Sequence, residues 1–301
     1  MIAKFLKRLI FFLTPVLLAF CVLEFFQRAI PNDYSYKKEY LEKNAEDIEV
    51  LILGNSHYYR GIIAEDIDLK CFNAAYISQS ADLDFLIFNT YKDRFANLKY
   101  IVFGTSYSTL FSSLATSKER WRLKNYNLYY DFNITQNPKN YSELLSNSFE
   151  INKKRFSRYY FKNKNPLTTS ILGSGTVNGS GDIEKTGPIT ALRDTKKDLY
   201  QYKNYLDEYN YIIKYCAENN ITVIFLTAPA YKSYTNNLST VQLSLMNRLL
   251  DSISNSNKNV YWMNFLKDSS FDANDFYDGD HLKLHGAKKI TDILKNKLDS
   301  L

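Results

Sequence analysis

Histidine is scarce in this chain, with only His57, His281 and His285 among 301 residues, so imidazole chemistry has three places to occur. Cysteine is equally sparse. Cys21, Cys71 and Cys216 are too few and too scattered for a disulfide framework or a zinc ribbon, although a single Cys71–Cys216 bridge stays open. There is no P-loop lysine pattern, no Gly-x-Ser-x-Gly elbow and no internal repeat, and Gly173-Ser174-Gly175 does not follow a predicted strand, which weakens any dinucleotide reading. Ten glycines and six prolines exclude a collagen-like or linker-dominated chain. What remains is 45% hydrophobic, 16% aromatic and 23% charged residues with a formal net charge of +6. That fits one globular domain with attachments, long enough to bury a core without covalent staples.

The N-terminus reads as a membrane signal. Lys4, Lys7 and Arg8 precede an uncharged run from Leu9 to Leu23, which continues through Glu24 to Phe25 and Phe26. A spanning helix wants roughly 20 apolar residues, and flanking Lys and Arg side chains snorkel to make up the difference. A signal-peptide core has the same length, but Val22-Leu23-Glu24-Phe25-Phe26 offers none of the small residues a cleavage site needs. The expectation is an uncleaved single-pass anchor in the cell membrane. Three charges within the first eight residues favour a cytoplasmic N-terminus, with Arg28, Lys37 and Lys38 reducing the contrast, and place the rest of the chain outside. The predicted organisation is a cytoplasmic tip and anchor over 1–30, a polar tether over 31–47, and an α/β domain over 48–301 with an insertion at about 110–195.

Short apolar runs at Glu49–Leu53, Lys70–Ala74, Tyr100–Phe103, Thr222–Leu226 and Val260–Asn264 lack clean alternation, as strands buried on both faces do. Helical patterns at Asp82–Ala96, Lys197–Asn219, Val241–Ser254 and Gly286–Leu298 lie between and after them. The predicted fold class is therefore α/β, a three-layer α/β/α doubly wound parallel sheet of the flavodoxin-like kind, with a helical insertion and an N-terminal transmembrane helix. About 118 residues separate the third and fourth runs, too many for an ordinary crossover. From Lys118 to Lys164 that insertion carries eleven Lys or Arg against four acids, a net +7. Interleaved with Trp121 and several tyrosines, these charges suit an anionic or sugar polymer or anionic headgroups, or simply a solvated helical cap. Gly173–Gly187 holds five glycines and reads as a mobile loop, and the whole insertion as a lid. Nucleic acid is not expected of a domain outside the membrane.

Gly54-Asn55-Ser56-His57 ends the first strand, where ligand-facing residues of a parallel sheet collect. A helix starting there aims its free N–H groups at a developing oxyanion, although Asn55 or Ser56 also suits a plain helix cap. Near the other end comes Asp278-Gly279-Asp280-His281-Leu282-Lys283-Leu284-His285. A serine hydroxyl needs a base, and an imidazole needs a carboxylate to fix its tautomer; Asp278 and His281 supply both from one loop. His285, four residues beyond His281, is compatible with metal ligation but has no further His or Cys cluster beside it. No metal or cofactor is expected.

A Gly-x-Ser ending the first strand together with an Asp-x-x-His-Leu before the last helix resembles the SGNH (GDSL-type) serine hydrolase superfamily. The Ser56-His57 pair resembles its branch of membrane-anchored proteins of cell-surface polymer acylation, D-alanyl transfer proteins among them. The resemblance implies Ser56 as nucleophile with His281 as base and Asp278 as orienting acid. It implies an oxyanion hole from the N–H groups of Ser56 and Ser78, with Ser106 standing where the family has asparagine. In the second block Asn73-Ala74-Ala75-Tyr76-Ile77-Ser78 carries serine in the family's glycine position, and the third reads Gly104-Thr105-Ser106-Tyr107. Substrate contacts fall to His57 and Asn73, and to Arg120, Trp121 and Arg122 of the basic stretch. The implied activity is an extracytoplasmic esterase or O-acyltransferase acting on acyl esters of an envelope polysaccharide or teichoic-type polymer, with a membrane-bound O-acyltransferase as partner. The alternative is a non-catalytic protein of the same fold that binds or scaffolds such a polymer.

Overall fold

A computed structural model describes residues 2–175, 179 and 181–301. Five strands, β1 (Val50–Leu53), β2 (Cys71–Asn73), β3 (Tyr100–Gly104), β4 (Thr222–Thr227) and β5 (Val260–Asn264), form one sheet in the order β2-β1-β3-β4-β5. Every pairing is parallel. This is the doubly wound order, and it reverses direction between β1 and β3. β1 is buried along its whole length, which explains why its sequence shows no polar alternation.

The helices are α1 (Ile2–Arg28), α2 (Asp33–Asn44), α3 (Ser56–Gly61), α4 (Ala81–Tyr91), α5 (Leu123–Tyr129), α6 (Glu143–Ser146), α7 (Phe149–Phe156), α8 (Ile183–Asp194), α9 (Tyr202–Glu218), α10 (Lys232–Thr235), α11 (Thr240–Ser256) and α12 (Leu284–Asp299). The chain divides into two compact units, Met1–Glu39 with Arg120–Thr168, and Tyr40–Glu119 with Thr169–Leu301. The second unit holds the sheet. Its core is aromatic: Phe103, Phe225 and Phe85 surround Tyr209, with ring centroids 4.7 to 5.3 Å from it.

The first unit is built on charge. Glu143 of α6 is buried and bonded to Lys124 at 2.9 Å, to the Tyr129 hydroxyl at 2.6 Å and to Arg155. Burial works against its ionisation, but Lys124 and Arg155 outweigh it and hold the carboxyl at about 2. Glu24 of α1 caps α6 from outside, accepting from the backbone N–H groups of Glu143 at 2.9 Å and Leu144 at 3.0 Å and from the Ser142 hydroxyl. α1 itself is long and apolar enough to cross a membrane, and its apolar side chains from Ile2 to Leu18 stand exposed.

Two sequence expectations change. The segment 31–47, expected as a tether, is mostly helix: α2 buries Tyr34, Lys37 and Leu41 and stacks Tyr40 on Phe72 at 4.1 Å. Its polar composition hid the residues it buries. The Gly173–Gly187 segment is likewise not one open loop, because Gly175 bridges to Thr169 and donates its N–H to the Tyr59 carbonyl, and α8 starts at Ile183. The rest of that expectation, at 176–178 and 180, lies outside the described residues.

Under the carboxyl end of β1, Asp84 of α4 is buried and accepts from the Gly54 N–H at 3.0 Å and from Gln79 at 2.6 Å. Burial pushes its carboxyl up to about 8, against the two hydrogen bonds. An unfolded aspartate releases its proton near pH 4. The stability this group contributes is therefore complete below about pH 4 and is lost as pH rises through about 8. Asp84→Asn keeps an acceptor for Gly54 and has no charge to bury. Denaturant titrations from pH 5 to pH 9 will show a flatter stability profile for Asp84→Asn than for wild type.

Candidate active site

β1 delivers the chain to Gly54, whose φ of +134° is open only to glycine without strain. Asn55 is the N-cap of α3, its side-chain oxygen accepting the His57 N–H at 3.1 Å. Ser56 is the first residue of that helix, so its own N–H has no partner within the helix. The tight turn and the cap together stand the Ser56 hydroxyl at the carboxyl edge of the sheet.

From the far end of the chain, the loop before α12 closes on itself. Phe276 bridges Leu282, and the Asp278 carboxylate accepts from the N–H groups of Asp280 at 3.1 Å and His281 at 2.8 Å. This folds Asp278 under the ring of His281. The His281 Nδ1 lies 3.1 Å from both Asp278 oxygens, and its Nε2 lies 2.8 Å from the Ser56 hydroxyl. Three residues that the sequence pairs only across 225 positions thus form a line of hydrogen bonds.

A second line runs beside the first. His57 stacks on His281 with centroids 4.7 Å apart and planes 21° from parallel. Its Nε2 is 3.0 Å from Asp280, its Nδ1 is 2.9 Å from the Asn55 side-chain oxygen, and the Asn55 amide nitrogen donates to the Ser106 hydroxyl at 2.9 Å. Asp280 is almost fully buried and also comes within 3.5 Å of His281 Nδ1. His281 therefore faces two carboxylates. Burial opposes charging the ring, yet Asp280 and Asp278 outweigh it and push its pKa up to about 10. Asp280 is held well below the ordinary carboxylate range, because His281 and His57 overcome the effect of burial.

Sequence reasoning placed Ser56, Asp278 and His281 in this cluster and took His57 as a substrate contact; the structure puts His57 in the second line. Sequence reasoning gives Asp280 no role, and it reads Asn55 only as a candidate helix cap, which Asn55 is. The signal for Asp280 was present, since Asp278-Gly279-Asp280-His281 offers two acids to one imidazole. Ser106 does not present a free donor: its hydroxyl accepts from Asn55 and pairs with Thr109 at 2.9 Å, so it holds Asn55 in place. Asn73 is not available to substrate either. It is fully buried, and its amide donates to the Tyr58 and Ile62 carbonyls at 2.9 and 3.1 Å, tying β2 to both ends of α3. Ser78 has φ of +60°, the left-handed conformation that a glycine adopts freely. His285 is exposed, 3.6 Å from Asp275 and outside the cluster. Arg120, Trp121 and Arg122 belong to the other compact unit.

Beside His57 and Asp280 lies a small recess of about 10 Å³, room for about one water, walled by Ser106, Tyr107, Ala228, Pro229, Ala230, Tyr234 and Leu266. It places an apolar wall next to the polar line. Ligand atoms of His57, Asp280 and His281 also lie within 4.8 Å of one another, close enough to converge on a metal ion. In this arrangement they converge on each other.

No family model matches the chain, and no curated protein matches it. Among solved structures it is similar to a candidate acylhydrolase from Bacteroides fragilis, with 10% identity, 87% of this chain and 95% of that one covered, and a TM-score of 0.43. It is also similar to a candidate platelet activating factor protein from Streptococcus pneumonia, with 13% identity, 95% and 98% covered, and a TM-score of 0.46. A third is a GDSL-like lipase from Bacteroides thetaiotaomicron, with 10% identity, 89% and 98% covered, and a TM-score of 0.43.

Neutralising Asp280 removes one of the two charges that raise His281. In Asp280→Asn, the His281 imidazole followed by NMR will titrate at least about one unit lower than in wild type, as expected for losing a charge within hydrogen-bond range. An unmoved titration would assign the shift to Asp278 alone.

Proposed function

We propose that the protein is a membrane-anchored serine esterase or O-acyltransferase of the SGNH type. The observation that carries this reading is the continuous line from the Ser56 hydroxyl through His281 to Asp278 at the carboxyl edge of a parallel sheet. In its neutral form His281 accepts the hydroxyl proton as Ser56 Oγ attacks the acyl carbonyl, while Asp278 holds the Nδ1 hydrogen and balances the charge formed. The oxyanion meets the N–H groups of Ser56 and Ser78. The second amide hydrogen of Asn55 serves where the family's asparagine is missing, because Ser106 engages only one. Collapse expels the alcohol or thiol, which takes the proton back from His281 and leaves an acyl-Ser56 ester. Water or a sugar or polyol hydroxyl then attacks that ester, gives its proton to His281 and frees Ser56.

The proposed substrate is an acyl ester of an envelope polysaccharide or teichoic-type polymer, handled outside the membrane. Arg120 and Arg122 on either side of Trp121 support an anionic polymer, with these three residues as its contacts. A membrane-bound O-acyltransferase is the proposed partner, and α1 the proposed single-pass anchor. No cofactor or nucleic acid enters the scheme. The rival reading is a non-catalytic polymer-binding or scaffolding protein, and the engagement of Ser106 favours it by leaving one fewer side chain at the oxyanion.

The test uses the full chain in detergent, wild type and Ser56→Ala, with a fluorophosphonate probe and short aryl acetates. We expect labelling and turnover that vanish in Ser56→Ala. A folded wild type that neither labels nor turns over would favour the scaffolding reading, under which charge reversal at Arg120 or Arg122 is the harmful change and Ser56→Ala is silent. Because His281 must be neutral to act as base and is pushed up to about 10, kcat/KM should climb with pH, by close to tenfold per unit from pH 7, and level off near 10. A profile already flat at pH 7 would show that the two carboxylates do not raise His281 in the working enzyme.

A further inference from the structure

The cap formed by α6 and α7 carries large apolar side chains that nothing in its own unit covers. Phe149 is 79% exposed and Phe161 76% exposed, with Leu145 and Ile151 about half exposed. Among them stand the exposed Lys153, Lys154, Arg158 and Lys162. Such a surface is costly in water.

Its position along α1 says what covers it. α1 has 27 residues, and the stretch from Leu9 to Phe26 spans about 27 Å at the helical rise, close to the roughly 30 Å of a bilayer's hydrocarbon core. Phe26 then lies at the boundary opposite Lys4, Lys7 and Arg8. The cap is fastened to that level of the helix: Gln27 donates to the Asn152 carbonyl at 2.9 Å, the Tyr160 hydroxyl donates to the Phe26 carbonyl at 2.8 Å, and the Phe26 ring meets Phe156 at 6.3 Å and Tyr160 at 5.7 Å. Phe161 continues the cluster, 6.1 Å from Phe156. Aromatic rings of this kind gather at membrane interfaces, and lysines beside them meet anionic headgroups.

We propose that α6, α7 and the turn that follows lie in the plane of the membrane surface, with Phe149 and Phe161 entering the boundary between headgroups and acyl chains and Lys153, Lys154 and Arg158 holding anionic lipid. The surface is a second, in-plane attachment that extends the single helix into a footprint. The inference rests on the reading of α1 as a membrane anchor.

The experiment uses the full chain in lipid nanodiscs containing or lacking phosphatidylglycerol, with an environment-sensitive fluorophore on one cysteine at a time. Cys21 is exposed on α1 and Cys71 and Cys216 are buried, so the native chain labels at position 21. Phe149→Cys and Phe161→Cys are made in a Cys21→Ser background. The expected result is a blue shift and at least twofold quenching of the labels at 149 and 161 by shallow doxyl lipids, stronger with phosphatidylglycerol and reduced by Lys153→Glu with Lys154→Glu. A label at 21 quenched by deep doxyl lipids while those at 149 and 161 stay open to iodide would overturn the in-plane surface and leave the anchor standing. A label at 21 open to iodide in the nanodisc would overturn the anchor and this surface with it. Equal quenching with and without phosphatidylglycerol would overturn the role given to the lysines.

Discussion

The site depends on how closely β1 and β3 approach at their carboxyl ends. The Tyr58 ring, from the first turn of α3, fills the space over both strands. A Cβ at Gly54 would come within 2.7 Å of that ring, and one at Gly104 would overlap it. With both positions bare, Tyr58 seats fully buried, and its hydroxyl accepts the Ala228 N–H beyond β4. That wedge sets where α3 begins, hence where Ser56 stands and how far Asn55 is from Ser106. Asn73 fastens the same helix from β2 and Asp84 fastens the turn beneath it. The hydroxyl is thus positioned by backbone packing before any imidazole reaches it.

Around that fixed point the electrostatics are arranged in pairs. Asp278 binds His281 and Asp280 binds His57, and the two rings stack. Stacked imidazoles repel when both are charged, whereas the buried Asp280 and the half-buried Asp278 attract each of them. Proton occupancy at His281 is therefore a property of four groups. The serine senses the sum.

Much of the fold was legible because buried parallel strands write themselves as apolar runs. All five runs coincide with observed strands to within a residue or so, and the four helical patterns with α4, α9, α11 and α12. The ends of the candidate site were legible for the same local reason, since Gly-x-Ser and Asp-x-x-His each fit within one turn of chain. The middle was not. Whether Ser106 points at an oxyanion or at Asn55 is decided across 51 residues of sequence by the spacing of two strands, which no local pattern records. Asn73 reads as a polar group open to substrate, but its amide serves the carbonyls of Tyr58 in α3 and of Ile62 just after it. α2 carries no such pattern because its buried positions include Lys37, whose ammonium burial pushes well below the usual lysine range.

Glu24 interrupts the apolar run of α1 to cap α6, and Arg28, one turn on, bonds both Glu24 and the Tyr141 carbonyl. A helix joined to its neighbour at two successive turns has neither rotation nor tilt of its own. A bilayer thicker or thinner than α1 would ordinarily be met by leaning the helix. With α1 in a bilayer as proposed, such a lean would be carried to α6 with it, and a mismatch in thickness would act on the cap as a torque.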